Sequence, residues 1–163
     1  MFLLGAFTLA TLTASAICYP TGPPDSACYS MEPSHLPFHA NKDDGTYVIK
    51  VAKRSSNYTV RIEAGTARFP AIRGVFIQAR RVGSSNALGR WNIQKASQQH
   101  LRVRTCPHGK DNAVAHTSSF PRVYVEAVWD SRGEKNLDEV NIWATVAEHY
   151  YTFWTGLSSS LPK

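Results

Sequence analysis

Residues 57–64, NYTVRIEA, decide the fold class because apolar and polar side chains alternate along them. Tyr58, Val60 and Ile62 fall on one face of an extended chain, and Arg61 falls on the other. A period of two residues is typical of a β-strand with one buried face. This stretch therefore predicts a strand that covers an apolar core.

The same signal recurs on both sides of this stretch. Other runs rich in β-branched and aromatic residues occupy 47–53, 74–82, 101–105, 113–118, 123–129 and 140–154. Loops rich in Gly, Pro, Asn and Ser separate these runs. Residues 74–82, GVFIQARRV, are almost continuously apolar up to their arginines, as expected of a central strand in a sandwich. We predict an all-β antiparallel sandwich of about seven to nine strands, with an irregular segment at 19–45 and one short helical turn near 136–139.

The N-terminal residues 1–18, MFLLGAFTLATLTASAIC, contain no charged side chain and no histidine. Their apolar part is too short to span a bilayer, and small residues follow it, as signal peptidase requires. We predict a signal peptide at 1–18 with cleavage favoured after Cys18, although cleavage after Ala16 is also open. Residues 19–163 would then form one domain in a secreted, extracellular protein, with no integral membrane segment after signal removal.

The cysteine count suits the later cleavage. Cleavage after Cys18 leaves Cys28 and Cys106, and two cysteines in a secreted protein are expected to form a disulfide. Cleavage after Ala16 would leave Cys18 as an odd thiol that could join two chains. A disulfide would also prevent Cys106 from acting as a nucleophile with His116 as its base.

We find no sequence pattern of a catalytic or metal site. The patterns G-x-S-x-G, H-E-x-x-H and a glycine-rich phosphate loop are absent from the sequence, so we predict no enzyme and no cofactor. His35 and His39 have helical spacing, but Pro33 and Pro37 disfavour a helix there, and we predict no metal site. His116 lies in a strand of small residues and is expected to be a hydrogen-bonded structural histidine.

Several motifs together resemble the Reeler domain, the module named for the N-terminal region of reelin. They are, in order, YPTGPPDSAC with Met31, Pro33 and His35, then GVFIQAR, Cys106 with AVAHTS, VYVEAVW, and VNIWATVAEHYYTFWTG. The resemblance implies an immunoglobulin-like β-sandwich over nearly all of 19–163. It also implies a single-domain, secreted defence protein, since the ferric-chelate reductase relatives carry additional haem-binding and membrane domains.

The formal net charge of +6 permits attraction to phosphorylated bacterial envelopes or sulfated glycans. The basic residues are spread along an exported chain and form no block, so nucleic acid is not an expected partner. A guanidinium group binds phosphate or sulfate through two parallel hydrogen bonds. If their strands are neighbours, five arginines could form one binding patch: Arg61, Arg80, Arg81, Arg102 and Arg104. A solvated outer sheet face is the alternative interpretation.

Two aromatic residues, Tyr151 and Trp154, are candidates for stacking on sugar rings, although most aromatic residues of alternating strands belong to the core. Asn57 begins the sequon Asn-Tyr-Thr and is predicted to be glycosylated, which would mark a surface away from the binding site.

These expectations lead to a function. We predict a secreted innate-immune defence protein that binds bacterial surface components, lipopolysaccharide or lipoteichoic acid, and is antibacterial or agglutinating. The alternative is an extracellular-matrix or adhesion module that binds a host protein or a sulfated glycan.

Overall fold

The computed structural model describes residues 23–163. The signal peptide predicted at 1–18, including Cys18, lies outside the described residues. The elements are α1 (Ala27–Ser30), β1 (Tyr47–Arg54), β2 (Asn57–Ala64), β3 (Gly74–Arg81), β4 (Arg90–Asn92), β5 (Leu101–Arg104), β6 (Ala113–His116), β7 (Tyr124–Asp130), β8 (Val140–His149) and β9 (Thr152–Ser160), with single 3₁₀ turns at Lys95–Ser97 and Leu137–Glu139.

The strands form two antiparallel sheets. The four-stranded sheet has the order β1-β2-β7-β4 and the five-stranded sheet the order β5-β6-β3-β8-β9. This confirms the predicted all-β sandwich and the short helical turn near 136–139. No helix within residues 23–163 has the length and apolar character needed to cross a membrane.

The core lies between the inner faces of the two sheets. Tyr58, Val60 and Ile62 of β2 are buried there, as their alternation predicts. Trp129 of the neighbouring strand β7 and Ile77 of β3 in the facing sheet are completely buried. Burying each of these large side chains contributes about 1.5–3 kcal/mol to folding.

Strand β3 is buried on both faces, and a second layer explains why. Residues 23–41, which we name the N-terminal strap, cross the outer face of the five-stranded sheet. At the end of the strap, the Asn41 amide donates a hydrogen bond to the Phe153 carbonyl at 2.8 Å. Near its start, Ala27 and Met31 pack in a small apolar cluster with Phe76 of β3. The strap therefore shields the outer face of β3 from water in place of a third sheet.

Covalent and polar contacts hold the strap in place. Cys28 in α1 forms a disulfide with Cys106, as predicted, with 5.6 Å between the Cα atoms. Asp25 forms an ion pair with Arg104 of β5. The Thr145 hydroxyl of β8 donates a hydrogen bond to the Met31 carbonyl. The predicted irregular segment thus includes one short helix and has a fixed course.

Candidate binding surfaces

The structure removes Arg80 from the predicted arginine patch. Its side chain points outward from β3, but the strap covers it, and the residue is 7% exposed. Its guanidinium donates to the Cys28 carbonyl at 2.9 Å and the Tyr29 carbonyl at 3.0 Å, and to Gln78 Oε1 at 2.7 Å. Burial lowers the pKa of Arg80 below its ordinary value. Arg80 is a buried structural cation, and its prediction as a ligand-binding residue is wrong.

Arg81 is also engaged within the protein. Its guanidinium donates to the carbonyls of Lys135 at 2.7 Å and Asn136 at 3.2 Å. Glu134 and Glu139 lie 3.7 Å from its nitrogens. Arg81 therefore ties the end of β3 to the loop between β7 and β8.

Arg61 lies on the outer face of the four-stranded sheet. Its Nε donates to Glu63 at 2.6 Å, its Nη1 lies 3.9 Å from Glu126, and its guanidinium covers the Tyr124 ring at 3.5 Å. The hydrogen bond that Arg61 donates to Glu63 is the main cause that raises the pKa of Arg61. Two carboxylates thus balance this guanidinium before any ligand arrives.

Arg102 and Arg104 lie on β5, at the edge of the five-stranded sheet. Arg102 is exposed, whereas Arg104 donates to the Pro23 carbonyl and pairs with Asp25. Because Arg61 belongs to the other sheet, the condition that the arginine strands be neighbours is not met. The single five-arginine patch predicted from the sequence does not form.

The two aromatic candidates have different positions. Trp154 is 5% exposed and packs edge-on against Tyr47, with 5.1 Å between ring centroids, so it belongs to the core. Its prediction as a sugar-stacking residue is wrong. Tyr151 is 59% exposed, and its ring stacks on that of His149 with 5.4 Å between the ring centroids. The exposed Tyr151 ring therefore remains accessible to a ligand.

The sequence predicts a structural role for His116 and no metal site at His35 and His39. His116 Nδ1 lies 3.2 Å from both the amide nitrogen and the carbonyl oxygen of Val75, which confirms its structural hydrogen bonding. Among residues 23–163, no three His, Cys, Asp or Glu side chains come close enough together to hold a metal ion.

A polar cleft of about 490 Å³ lies at the end of the sandwich where β3 and β7 finish. We name it the basic cleft. Its lining residues are Ala87, Leu88, Gly89, Arg90, His108, Gly109, Lys110, Asp130, Arg132 and Glu134. Three loops supply these residues, those between β3 and β4, β5 and β6, and β7 and β8.

The acidic side chains of the basic cleft are already paired. Asp130 accepts two hydrogen bonds from Arg132 Nε, at 2.9 and 3.0 Å, and hydrogen bonding to Arg132 holds the pKa of Asp130 below its usual range. Glu134 accepts from the Gly89 amide at 3.1 Å. By contrast, the side chains of Arg90 and Lys110 form no hydrogen bond and no salt bridge with the residues described, although the charge of Arg90 helps to lower the pKa of Asp130. Their charges are the ones that the cleft offers to a ligand.

Buried contacts fix the shape of the basic cleft. The Asn112 side chain is fully buried, accepts from the Cys106 amide at 2.7 Å and donates to the Ala87 carbonyl at 3.3 Å, which joins two of the three loops. Gly89 has a φ of +65°, and a Cβ there would lie 2.4 Å from Trp129 Nε1. Only glycine allows this close approach, because other residues would both clash and strain the backbone.

A second, mostly apolar cavity of about 280 Å³ lies between the strap and the outer face of the five-stranded sheet. We name it the apolar cavity. Its lining includes Met31 and His35 of the strap, Phe76 of β3 and Ala147 of β8, with Arg73 just before β3. Gly74 begins β3 at this cavity, whereas the loop after Arg81 leads to the basic cleft. The two sites therefore lie at opposite ends of the sandwich.

The sequence interpretation missed the residues of both sites. Arg90, Lys110 and Arg132 fall in the stretches GSSNALGR, PHGKDN and DSRGEKN, which mark the ends of strands. The available signal was that each of these loops combines glycine with a cation, and loops commonly carry binding residues.

Asn57 begins β2 and is half-buried, with its Oδ1 buried. It pairs across the sheet with Asp130, which lines the basic cleft. A glycan on Asn57 would border the cleft, contrary to the expectation that the sequon marks a distant surface. Its glycosylation stays a prediction.

If the sequon is used, the chain secreted from eukaryotic cells should be heavier than its sequence by one N-linked glycan. Intact-mass measurement before and after enzymatic deglycosylation checks this, and Asn57→Gln should abolish the difference. A secreted wild-type chain with the unmodified mass would contradict the prediction.

Comparison with known proteins agrees with this architecture. Residues 26–161 match the Reeler domain family. The chain is 30% identical over 161 residues to "Putative defense protein 3" of Antheraea mylitta, covering 95% of this chain and 93% of the relative. It is 28% identical to "Putative ferric-chelate reductase 1" of Danio rerio, over 94% of this chain but 26% of that protein.

A solved structure supports the fold. The human F-spondin reeler domain superposes with a TM-score of 0.59 at 16% identity, covering 76% of this chain and 94% of that domain. The match to the family extends over both sheets, α1 and the two disulfide-bonded cysteines. This chain belongs to the Reeler domain family.

Proposed function

We propose that this chain is a secreted defence protein that binds anionic polymers of bacterial envelopes, lipopolysaccharide or lipoteichoic acid, without converting them chemically. Similarity to proteins named as defence proteins over nearly their whole length supports the defence role. Secretion is supported by the absence of charged side chains in residues 1–18 and by the two cysteines that follow this segment, Cys28 and Cys106. The net charge of +6 favours encounter with phosphorylated polymers.

The observation that carries the proposal is the basic cleft. Arg90 and Lys110 face a polar space in which Asp130 and Glu134 are already satisfied by hydrogen bonds. A phosphate group can accept two parallel hydrogen bonds from a guanidinium, and an ammonium adds a point charge. The cleft therefore replaces the five-arginine patch as the proposed contact surface.

The double variant Arg90→Ser, Lys110→Ser should bind lipopolysaccharide and lipoteichoic acid at least about tenfold more weakly. A hydrogen bond to a charged group contributes about 1.5–3 kcal/mol, and about 1.4 kcal/mol corresponds to tenfold. Pull-down on both polymers, on peptidoglycan and on heparin, with binding isotherms for the positives, measures the effect. Because these contacts are electrostatic, the wild-type affinity should fall as salt is added.

The matched control is Lys42→Ser, Lys53→Ser, which removes two exposed charges from residues outside the cleft lining. An equal loss of affinity in this control would show that overall charge, rather than the cleft, governs binding. Binding to heparin with none to the bacterial polymers would overturn the defence ligand and favour a matrix or adhesion module.

A further inference from the structure

The walls of the apolar cavity suit a hydrocarbon chain. Met31 and Phe76 are buried side chains of its lining, and Pro33 and Ala147 add apolar surface. Gly74 keeps the floor open, since a Cβ there would lie 3.2 Å from the Ala147 Cβ. A cavity enclosed by such groups gains from holding apolar atoms in place of water.

Two polar atoms at this cavity have no partner in the described part of the chain. His35 Nδ1 and Arg73 Nε are buried and make no hydrogen bond. A buried polar atom left unsatisfied costs about 1–3 kcal/mol, so such atoms call for an explanation. Arg73 Nη1 donates weakly to the Ser119 carbonyl at 3.4 Å. Arg73, with an unused hydrogen-bond donor beside an apolar cavity, is complementary in charge to an acidic group at the end of an apolar chain.

His35 does not compete with Arg73 for that acidic group. Burial, with a smaller contribution from nearby His116, lowers the pKa of His35 below its ordinary value. The neutral imidazole predominates at neutral pH, and it can donate or accept one hydrogen bond at Nδ1. Arg73 therefore supplies a permanent positive charge to the lining of the cavity.

We propose that the apolar cavity binds a single medium-length acyl chain, with its acidic group against Arg73 and His35. At about 280 Å³ the cavity lies near the lower limit of small-molecule sites, about 300–1,000 Å³, so it suits one chain and not a whole multi-acyl lipid. Exposed Phe38 contacts Tyr150 of the lining, with 5.9 Å between ring centroids, and continues the apolar surface beyond the cavity. This inference goes beyond the proposed function, which concerns the opposite end of the sandwich.

The chain preceding the strap is a less suitable occupant. Residues 19–22, YPTG, carry no acidic side chain to pair with Arg73. Cleavage after Cys18 would add a positively charged amino group to this segment, and like charges repel. The charge of Arg73 therefore favours an external acid.

Isothermal titration of residues 19–163 with decanoic acid and with decanol tests the proposal. The wild type should bind both. Ala147→Leu adds a larger side chain to the cavity from a half-buried strand position. It should weaken the binding of both ligands at least about tenfold, because the bound chain would lose several buried methylenes at about 0.8 kcal/mol each. Ala52→Leu, the same change on the other sheet, should bind as the wild type does. Unchanged binding in Ala147→Leu would overturn the proposal, provided that circular dichroism shows both variants folded.

Arg73→Gln tests the position of the acidic group. This variant should weaken the binding of decanoic acid about tenfold, which is the loss expected from one hydrogen bond to a charged group. It should leave the binding of decanol unchanged. Equal loss for both ligands would refute the pairing with Arg73. If residues 23–163 bind decanoic acid and residues 19–163 do not, the segment 19–22 is the occupant and the proposal is wrong.

An apolar chain beside an acidic group occurs in free fatty acids, through their carboxylate, and in lipid A, where the acyl chains are ester- or amide-linked and phosphates supply the charge. Competition between decanoic acid and lipid A for the wild type distinguishes these sources. Displacement would identify an envelope acyl chain as a ligand of the cavity, and retention of decanoic acid would identify free acids. Failure of the wild type and of residues 23–163 to bind decanoic acid would refute both.

Discussion

Replacing Cys28 and Cys106 together with alanine should lower the free energy of unfolding by about 4 kcal/mol. The disulfide closes a loop with a sequence separation of 78 residues, and cross-linking a loop of that length removes much of the entropy of the unfolded chain. Because a domain of this size is stable by only about 5–15 kcal/mol, the variant would lose a large part of its stability. Denaturant unfolding of residues 19–163 measures the change.

Reduction provides the control for this variant. A reductant should destabilise the wild type by a similar amount and leave the double alanine variant unaffected. The loss should be accompanied by greater proteolysis of the strap, since the disulfide joins α1 to Cys106, two residues after β5. Equal stability of the wild type with and without reductant would contradict the disulfide's role.

Arg80→Ala should lower the free energy of unfolding by about 3–5 kcal/mol. The change removes a buried guanidinium and leaves the Tyr29 carbonyl and Gln78 Oε1 without their donor, while the Cys28 carbonyl keeps only its 3.3 Å hydrogen bond from Gln78 Nε2. A buried acceptor left without a donor costs about 1–3 kcal/mol, and two such acceptors account for a loss in this range. Denaturant unfolding again measures the effect.

The matched control for Arg80→Ala is Arg90→Ala. Arg90 is exposed on a strand and its side chain makes no hydrogen bond with the described residues, so its replacement should change stability by less than about 0.5 kcal/mol. Similar effects for the two arginines would mean that Arg80 is not the buried anchor of the strap. The effects of Arg80→Ala and of disulfide removal should be non-additive, because both release α1.

The strands could be predicted from the sequence because their side chains alternate with a local period. Tyr58, Val60 and Ile62 lie in the core as expected, and Cys28 pairs with Cys106 as the cysteine count suggested. Both inferences rely on properties that single segments or simple counts contain. The assignment to the Reeler domain family likewise followed from motifs in a fixed order.

The fate of the candidate arginines could not be predicted in this way. Alternation places Arg80 on the outer face of β3, but it does not reveal that strap residues 51 and 52 positions earlier cover that face. Arg61 acquires its carboxylate partners across neighbouring strands, which depends on register. The basic cleft depends on three loops that are distant in sequence and meet only at one end of the sandwich.

The strap also constrains the order in which the chain can mature. It is synthesised before any strand, yet Met31 is held by Thr145, 114 residues later, and Cys28 by Cys106. Contacts of such high sequence separation form slowly because a long loop must close first. Among the described residues, the strap is thus made first but cannot form all of its contacts until nearly the whole polypeptide has been made, and Cys28 lacks its disulfide partner until Cys106 has been made.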